Sequence, residues 1–118
     1  MPADDRLAIA RDSYLAFAAG DRRFFEERLS EGFVFSSPPD PRLDRQGWFE
    51  RCWPGAGGGQ RFAFRRLVGV GDEVIVTYDL HRPDGSAGCN TEILTFDVQD
   101  RIVRTEVYFG WDLRSAGP

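Results

Sequence analysis

The stretch that decides the fold runs from residue 60 to residue 96, QRFAFRRLVGVGDEVIVTYDLHRPDGSAGCNTEILTF. Its apolar residues recur at every second position: Phe62, Phe64, Val68 and Val70 share one parity, and Val74, Val76, Tyr78 and Leu80 share the next. A period of two is the signature of strands with one face toward a core. Gly69 to Asp72 and Pro83-Asp84-Gly85 carry turn chemistry, and the polar run Asp97 to Arg101 supplies a third turn before TEVYFGW at 105–111. Four strands therefore follow one another as an antiparallel meander.

Toward the N-terminus the period changes to that of helices. Leu7, Ala10, Tyr14 and Phe17 fall on one stripe of a helix over residues 4–19, which Gly20 ends. Asp21 is placed to cap a shorter helix over 22–30 that carries Phe25 and Leu29 and is closed by Gly32. FVFSS at 33–37 reads as a strand halted by Pro38 and Pro39. Asp44 caps a third helix bearing Trp48, Phe49, Cys52 and Trp53, terminated by Pro54 and Gly55. The glycine run at 55–59 follows a helix instead of opening one, and the chain has no lysine, so it reads as a flexible connector and not as a phosphate loop. The layout is α+β in one domain, 1–118, with helices laid against one face of a curved sheet.

Composition narrows the partners. The chain has 118 residues, with 15 basic side chains, all arginine, against 19 acids and a net charge of −4. The basic residues are scattered, which argues against nucleic acid and against an anionic membrane surface. Cys52 and Cys89 lack the spacing of a zinc site, and two distant cysteines do not make a disulfide scaffold, so a reducing cytoplasm is expected. The acidic start MPADD is unlike a signal peptide, and no apolar run approaches the ~18 residues of a membrane span. No metal or cofactor is implied.

The residue that carries chemistry is Glu92. In NTEILTF at 90–96, Asn90, Glu92, Leu94 and Phe96 share the face that Leu94 and Phe96 mark as the core side, while Cys89, Thr91, Ile93 and Thr95 share the other. A carboxyl group on the core face is desolvated, its pKa rises, and it becomes a proton donor near neutrality. The structural alternative is a pairing with Arg61 or Arg65. Tyr78, Phe62, Phe64, Val76, Val107 and Phe109 are candidate cavity walls, joined by Trp48, Cys52 and Trp53 from the third helix. Tyr14 on the buried stripe is either core packing or a hydroxyl donor. His81, the one histidine, falls on the outer parity of its strand.

The run SYLAFAAGD at 13–21, the corner FVFSSPPD at 33–40, WFERCWP at 48–54 and TEVYFGW at 105–111 together resemble the NTF2-like superfamily, in particular its SnoaL-like and ketosteroid-isomerase-like branches. The resemblance spans nearly the whole chain. It implies a cone in which three N-terminal helices pack on a strongly curved, mixed, mainly antiparallel sheet, with a pocket opening into the cone and a homodimer formed through the outer sheet face. Against a ketosteroid isomerase, Tyr14 falls where that family has an oxyanion-hole tyrosine and Glu92 where it has a protonated aspartic acid. The proton-abstracting aspartate falls on Ser37, leaving Asp40 as a substitute if the corner bends differently. The Arg-x-Asp and further aspartate of limonene-epoxide-hydrolase-like members fall on Asn90-x-Glu92 and Val107. The fold has hosted isomerases, dehydratases, cyclases, epoxide hydrolases and proteins without catalysis, so it does not supply a reaction. The expectation is a cavity for a small, mostly apolar molecule with acid/base groups Glu92, Tyr14 and Asp40, and with Ser37 and Asn90 beside the ligand. The competing expectation is a filled core in a binding or assembly module.

Overall fold

The computed structural model describes residues 2–113, with side chains from residue 5 onward. Helix α1 (Pro2–Ala19) buries Ile9, Ala10, Ser13, Tyr14 and Ala16, one stripe at three- and four-residue steps, and ends where Gly20 adopts φ +73°. The Asp21 carboxylate accepts from the Phe24 amide at 3.4 Å and caps α2 (Arg22–Arg28), whose buried residue is Phe25. The chain then passes straight into β1 (Leu29–Ser36). The helix thus stops at Arg28 rather than residue 30, and the strand opens at Leu29 rather than residue 33. Pairing decides this: Leu29 lies opposite Ile102, both almost fully buried, and Gly32 sits inside the strand with open space around it.

A short strand, β2 (Leu43–Asp44), pairs antiparallel with β1 and delivers Asp44 to the start of α3 (Arg45–Arg51), where its carboxylate accepts from the Gly47 amide at 2.8 Å. Trp48 and Phe49 are the buried residues of α3, and Cys52 and the 3-10 turn Trp53–Gly55 close it. The meander follows as β3 (Arg61–Val70), β4 (Glu73–His81), β5 (Ala87–Phe96) and β6 (Ile102–Asp112). The six-stranded sheet has the order β2-β1-β6-β5-β4-β3, antiparallel throughout except for β1 against β6, which run parallel. The α+β expectation and the mixed, mainly antiparallel sheet are both met.

The parity read for the first meander strand holds only to its middle. Between Phe64 and Arg66 the register of β3 against β4 shifts by a bulge. Leu67 therefore pairs with Val76 on the inner face, while Val68 and Val70 turn outward, 47% and 55% exposed. A second irregularity lies near the end of β6, between the pairs Asn90–Phe109 and Gly88–Asp112. Gly110 occupies it, so close to the Cys89 carbonyl that a Cβ would collide with the backbone. Trp111 is thereby turned to the outer face, where the Arg65 guanidinium lies 5.7 Å from its ring centroid.

The long helix is tied down at both ends. Near its start Arg6 donates to the Asp100 carboxylate at 2.8 Å and to the Asp97 carbonyl at 2.9 Å, gripping the β5–β6 turn. At its end the glycine run is docked rather than free: the Gly57 amide donates to the Phe17 carbonyl at 2.8 Å, satisfying an acceptor of the last helical turn. Gly57 does so at φ +70°, its Cα packed against Gly20. Replacing Gly57 with alanine is expected to cost about 1–2 kcal/mol. Urea unfolding would measure it, and an unchanged midpoint would show that the loop does not hold the helix end.

Candidate functional site

Under the concave face of the sheet lies a cavity of about 180 Å³. Its polar end is built from α1, β4 and β5. Tyr14 reaches in from the middle of α1, its ring packed against Phe62 (centroids 5.3 Å apart), Phe64 (5.6 Å) and Tyr78 (5.2 Å). Tyr78 on β4 stands opposite Asn90 on β5, so Glu92, two residues along, is its diagonal neighbour on the same face. The Tyr78 hydroxyl donates to Glu92 Oε2 at 2.5 Å. The alternative of an arginine partner for Glu92 is not realised: Arg65 is paired with Asp79 on the outer face at 2.7 Å.

Electrostatics follow from that burial. Desolvation pushes the Glu92 carboxyl above the usual carboxylate range, and the hydroxyls of Tyr78 and Tyr14 offset this only in part. Burial, followed by the nearby Glu92 charge, pushes the phenols of Tyr14 and Tyr78 up as well, so both keep their protons across the physiological range. The Tyr14 hydroxyl is the unusual member. It is buried, faces the same carboxyl, and has no hydrogen-bond partner of good geometry. A buried O–H left free costs about 1–3 kcal/mol, which a ligand oxygen accepting from it would recover.

The rest of the lining is apolar. Phe17, Phe25, Leu29, Phe33, Phe35, Trp48, Phe62, Leu80, Leu94 and Ile102 form the walls, with Ser13, Cys52 and Thr105 at intervals. The Ser13 hydroxyl is spent on the Ala10 carbonyl at 2.6 Å. Burial pushes the Cys52 thiol up to about 11, with Asp40 and Glu92 adding to the effect, so near neutrality it is a neutral wall and not a nucleophile. Among the described residues that line the cavity, Glu92 is the one carboxylic acid, and there is no cation.

Of the residues expected from sequence, Tyr14, Trp48, Cys52, Phe62, Tyr78 and Glu92 meet at this cavity. Trp53 and Phe64 pack against the core behind the walls, and Val76 is fully buried without reaching the space. Asn90, Val107 and Phe109 are on the correct face, with Val107 directly opposite Glu92 and Asn90 opposite Tyr78, but none of the three is on the lining, and Phe109 is 59% exposed. Ser37 and Asp40 are not on the lining. They form a tight turn, Ser37 N–H to the Asp40 carbonyl at 2.8 Å, and the Asp40 carboxylate is held by Arg51 at 2.7 Å. The corner therefore does not bend so as to offer Asp40 as a base. Phe25, Leu29, Phe33 and Phe35 were missed as wall residues. Phe25 lies on α2; the alternation of Phe33 and Phe35 was visible, but the parallel pairing of β1 with β6 that takes in Leu29 and brings the strand over the cavity was not.

No family model matches the sequence, and no curated protein is similar enough to match. Solved structures do match. An NTF2-like protein of unknown function from Mesorhizobium loti superposes with a TM-score of 0.77 at 20% identity, covering 94% of this chain and 95% of that one. A protein from Kribbella flavida, described as a candidate ketosteroid isomerase, gives a TM-score of 0.77 at 18% identity over 92% of this chain and 80% of its own. One from Sinorhizobium meliloti, described as a candidate polyketide cyclase, gives 0.71 at 19% identity over 86% and 94%. At these identities the likeness is one of architecture. The curved sheet closed over α1 is the NTF2-like fold, and this chain has it.

Proposed function

We propose that the cavity binds a small, mostly apolar molecule whose oxygen accepts hydrogen bonds from Tyr14 and from the protonated Glu92. The observation that carries this reading is the buried Tyr14 hydroxyl, which faces Glu92 without a well-aligned hydrogen bond, beside a carboxyl whose pKa is raised, both opening onto empty space lined by aromatic rings. Two donors converging on one oxygen stabilise negative charge developing there, the event common to isomerase-, cyclase- and dehydratase-type acid/base chemistry. The neighbours described as a ketosteroid isomerase and a polyketide cyclase candidate are in keeping with that class. A second reading, binding without turnover, is favoured by the capture of Asp40 by Arg51, which leaves the acid without a paired base. The open 180 Å³ weighs against a cavity filled by its own side chains.

Ligand-detected NMR with cyclohexanone tests both readings. Binding is expected, with Tyr14→Phe weakening it about tenfold through the lost donor. Exchange of the ketone's α-protons for deuterium faster with protein than without it supports the chemistry, and binding without exchange supports the second reading. Undiminished affinity in Tyr14→Phe would remove the site.

The convex sheet face supports pairing with a second copy. Val68, Val70, Tyr108 and Trp111 are each about half exposed on it, and Arg65 and Arg104 alternate there with Glu73 and Glu106, the mixed-sign pattern that a two-fold contact can satisfy on itself. A dimer is expected by light scattering at micromolar concentration, converted to monomer by Val70→Asp. A wild-type monomer would remove the proposal.

A further inference from the structure

We infer that the cavity selects a neutral compound of a single ring bearing one carbonyl oxygen, and shuts out both fused-ring ketones and carboxylates. This deepens the reading above and rests on it. The size limit comes from the space itself. A cavity of about 150 Å³ lined by aliphatic and aromatic residues accommodates one benzene ring. The 180 Å³ found here admits a six-membered ring with about one or two further heavy atoms. A second fused ring does not fit within that volume: it must displace a wall or protrude through the mouth into solvent, where it gains little apolar contact.

The wall that bounds it is stiff. Trp48 is 6% exposed, and its ring packs tilted against Phe25 (centroids 5.0 Å apart) and Trp53 (6.0 Å) and edge-on against Phe49 (5.0 Å). Its ring cannot swing aside without displacing partners that are themselves interlocked, because packed interiors yield little.

The charge limit comes from the polar inventory. No arginine or histidine is among the described lining residues, so a carboxylate guest would be buried without a counter-ion beside the Glu92 carboxyl. A ketone oxygen, by contrast, offers two lone pairs to two donors at one point. Its ring would then lie in the aromatic part of the cavity, where only apolar contact is available. Trp48 on this view is a specificity-determining residue: it sets how many rings the guest has.

The experiment is a titration of the full chain with cyclohexanone, trans-1-decalone, a four-ring steroid ketone and cyclohexanecarboxylate, read by ligand-detected NMR and by thermal shift. Cyclohexanone is expected to bind at least about tenfold more tightly than decalone, and the steroid ketone and the carboxylate to show no saturable binding. In Trp48→Phe, which keeps an aromatic ring but vacates the space of the indole's second ring, decalone is expected to gain while cyclohexanone does not. Decalone or the steroid ketone binding wild type as well as cyclohexanone does would overturn the size limit and leave the Tyr14–Glu92 site standing. Saturable binding of the carboxylate would overturn the charge limit alone. Failure of every probe would sink the inference together with the reading under it, and cyclohexanone affinity that is indifferent to Tyr14→Phe would do the same.

Discussion

Truncating Trp48 to alanine is expected to lower the stability of the folded chain by about 3–5 kcal/mol, the range for deleting a large buried aromatic side chain. The indole sits at the junction of α3, α2 and β1, with ring contacts to Phe17, Phe25, Phe33, Phe49 and Trp53. It borders a space that is already empty, so its removal enlarges a void instead of allowing collapse. Since single domains are stable by only about 5–15 kcal/mol, such a variant would lie near the edge of folding. Urea denaturation followed by circular dichroism gives the number. A loss below about 1 kcal/mol would mean that the surrounding rings close the gap, and the stiffness argued for the cavity wall would go with it.

Glu92→Gln is expected to change how stability responds to pH. Burial raises the folded-state pKa of this carboxyl above its value in the unfolded chain. Between those two values the folded protein binds the proton and the unfolded chain does not, so stability falls as pH rises through that window and levels off above it. Glutamine has no proton to lose. The variant should therefore gain on wild type from about pH 4, where unfolded carboxyls titrate, upward to the raised folded value. Its amide oxygen can still accept from Tyr78, so the packing is preserved and the gain persists at alkaline pH, where the wild type holds a buried charge without a counter-ion. Unfolding midpoints of the two proteins at matched pH values isolate the contribution of this one group. Parallel curves would mean that Glu92 ionises normally, and the proton-donor role would have no basis.

Much of the fold was legible because burial and period agree. Val74 to Leu80 alternate without interruption, and Leu94 and Phe96 mark the inner face of β5, which fixes the side on which Glu92 emerges. The β3 bulge was not legible. Arg65-Arg66 carries no turn residue, and the shift is imposed by pairing to β4, which puts Leu67 inside and Val68 outside. The same holds at Leu29, where a position at helical spacing from Phe25 is taken into a strand because Ile102 waits opposite it. At the site, face was readable but depth was not. Val107 and Phe109 share the face of Glu92, and Val107 even stands opposite it, yet neither side chain reaches the lining. Asp40 was chosen as a carboxylate at a plausible corner, and what decides its role is a long arginine from α3 that no local pattern assigns to it.

The extra residue at Gly110 works as a phase counter for the last strand. From Thr105 to Phe109 the odd-numbered side chains of β6, Thr105, Val107 and Phe109, look inward, and after Gly110 Trp111 looks outward beside Arg65. Were the bulge to flatten with Gly110 kept, plain alternation would send the terminal indole inward, whereas deleting Gly110 would leave it outside, directly across from Cys89. Descendants of this chain could thus lose one residue here and keep their exterior aromatic surface, trading it for an aromatic entrance only by straightening the strand at unchanged length.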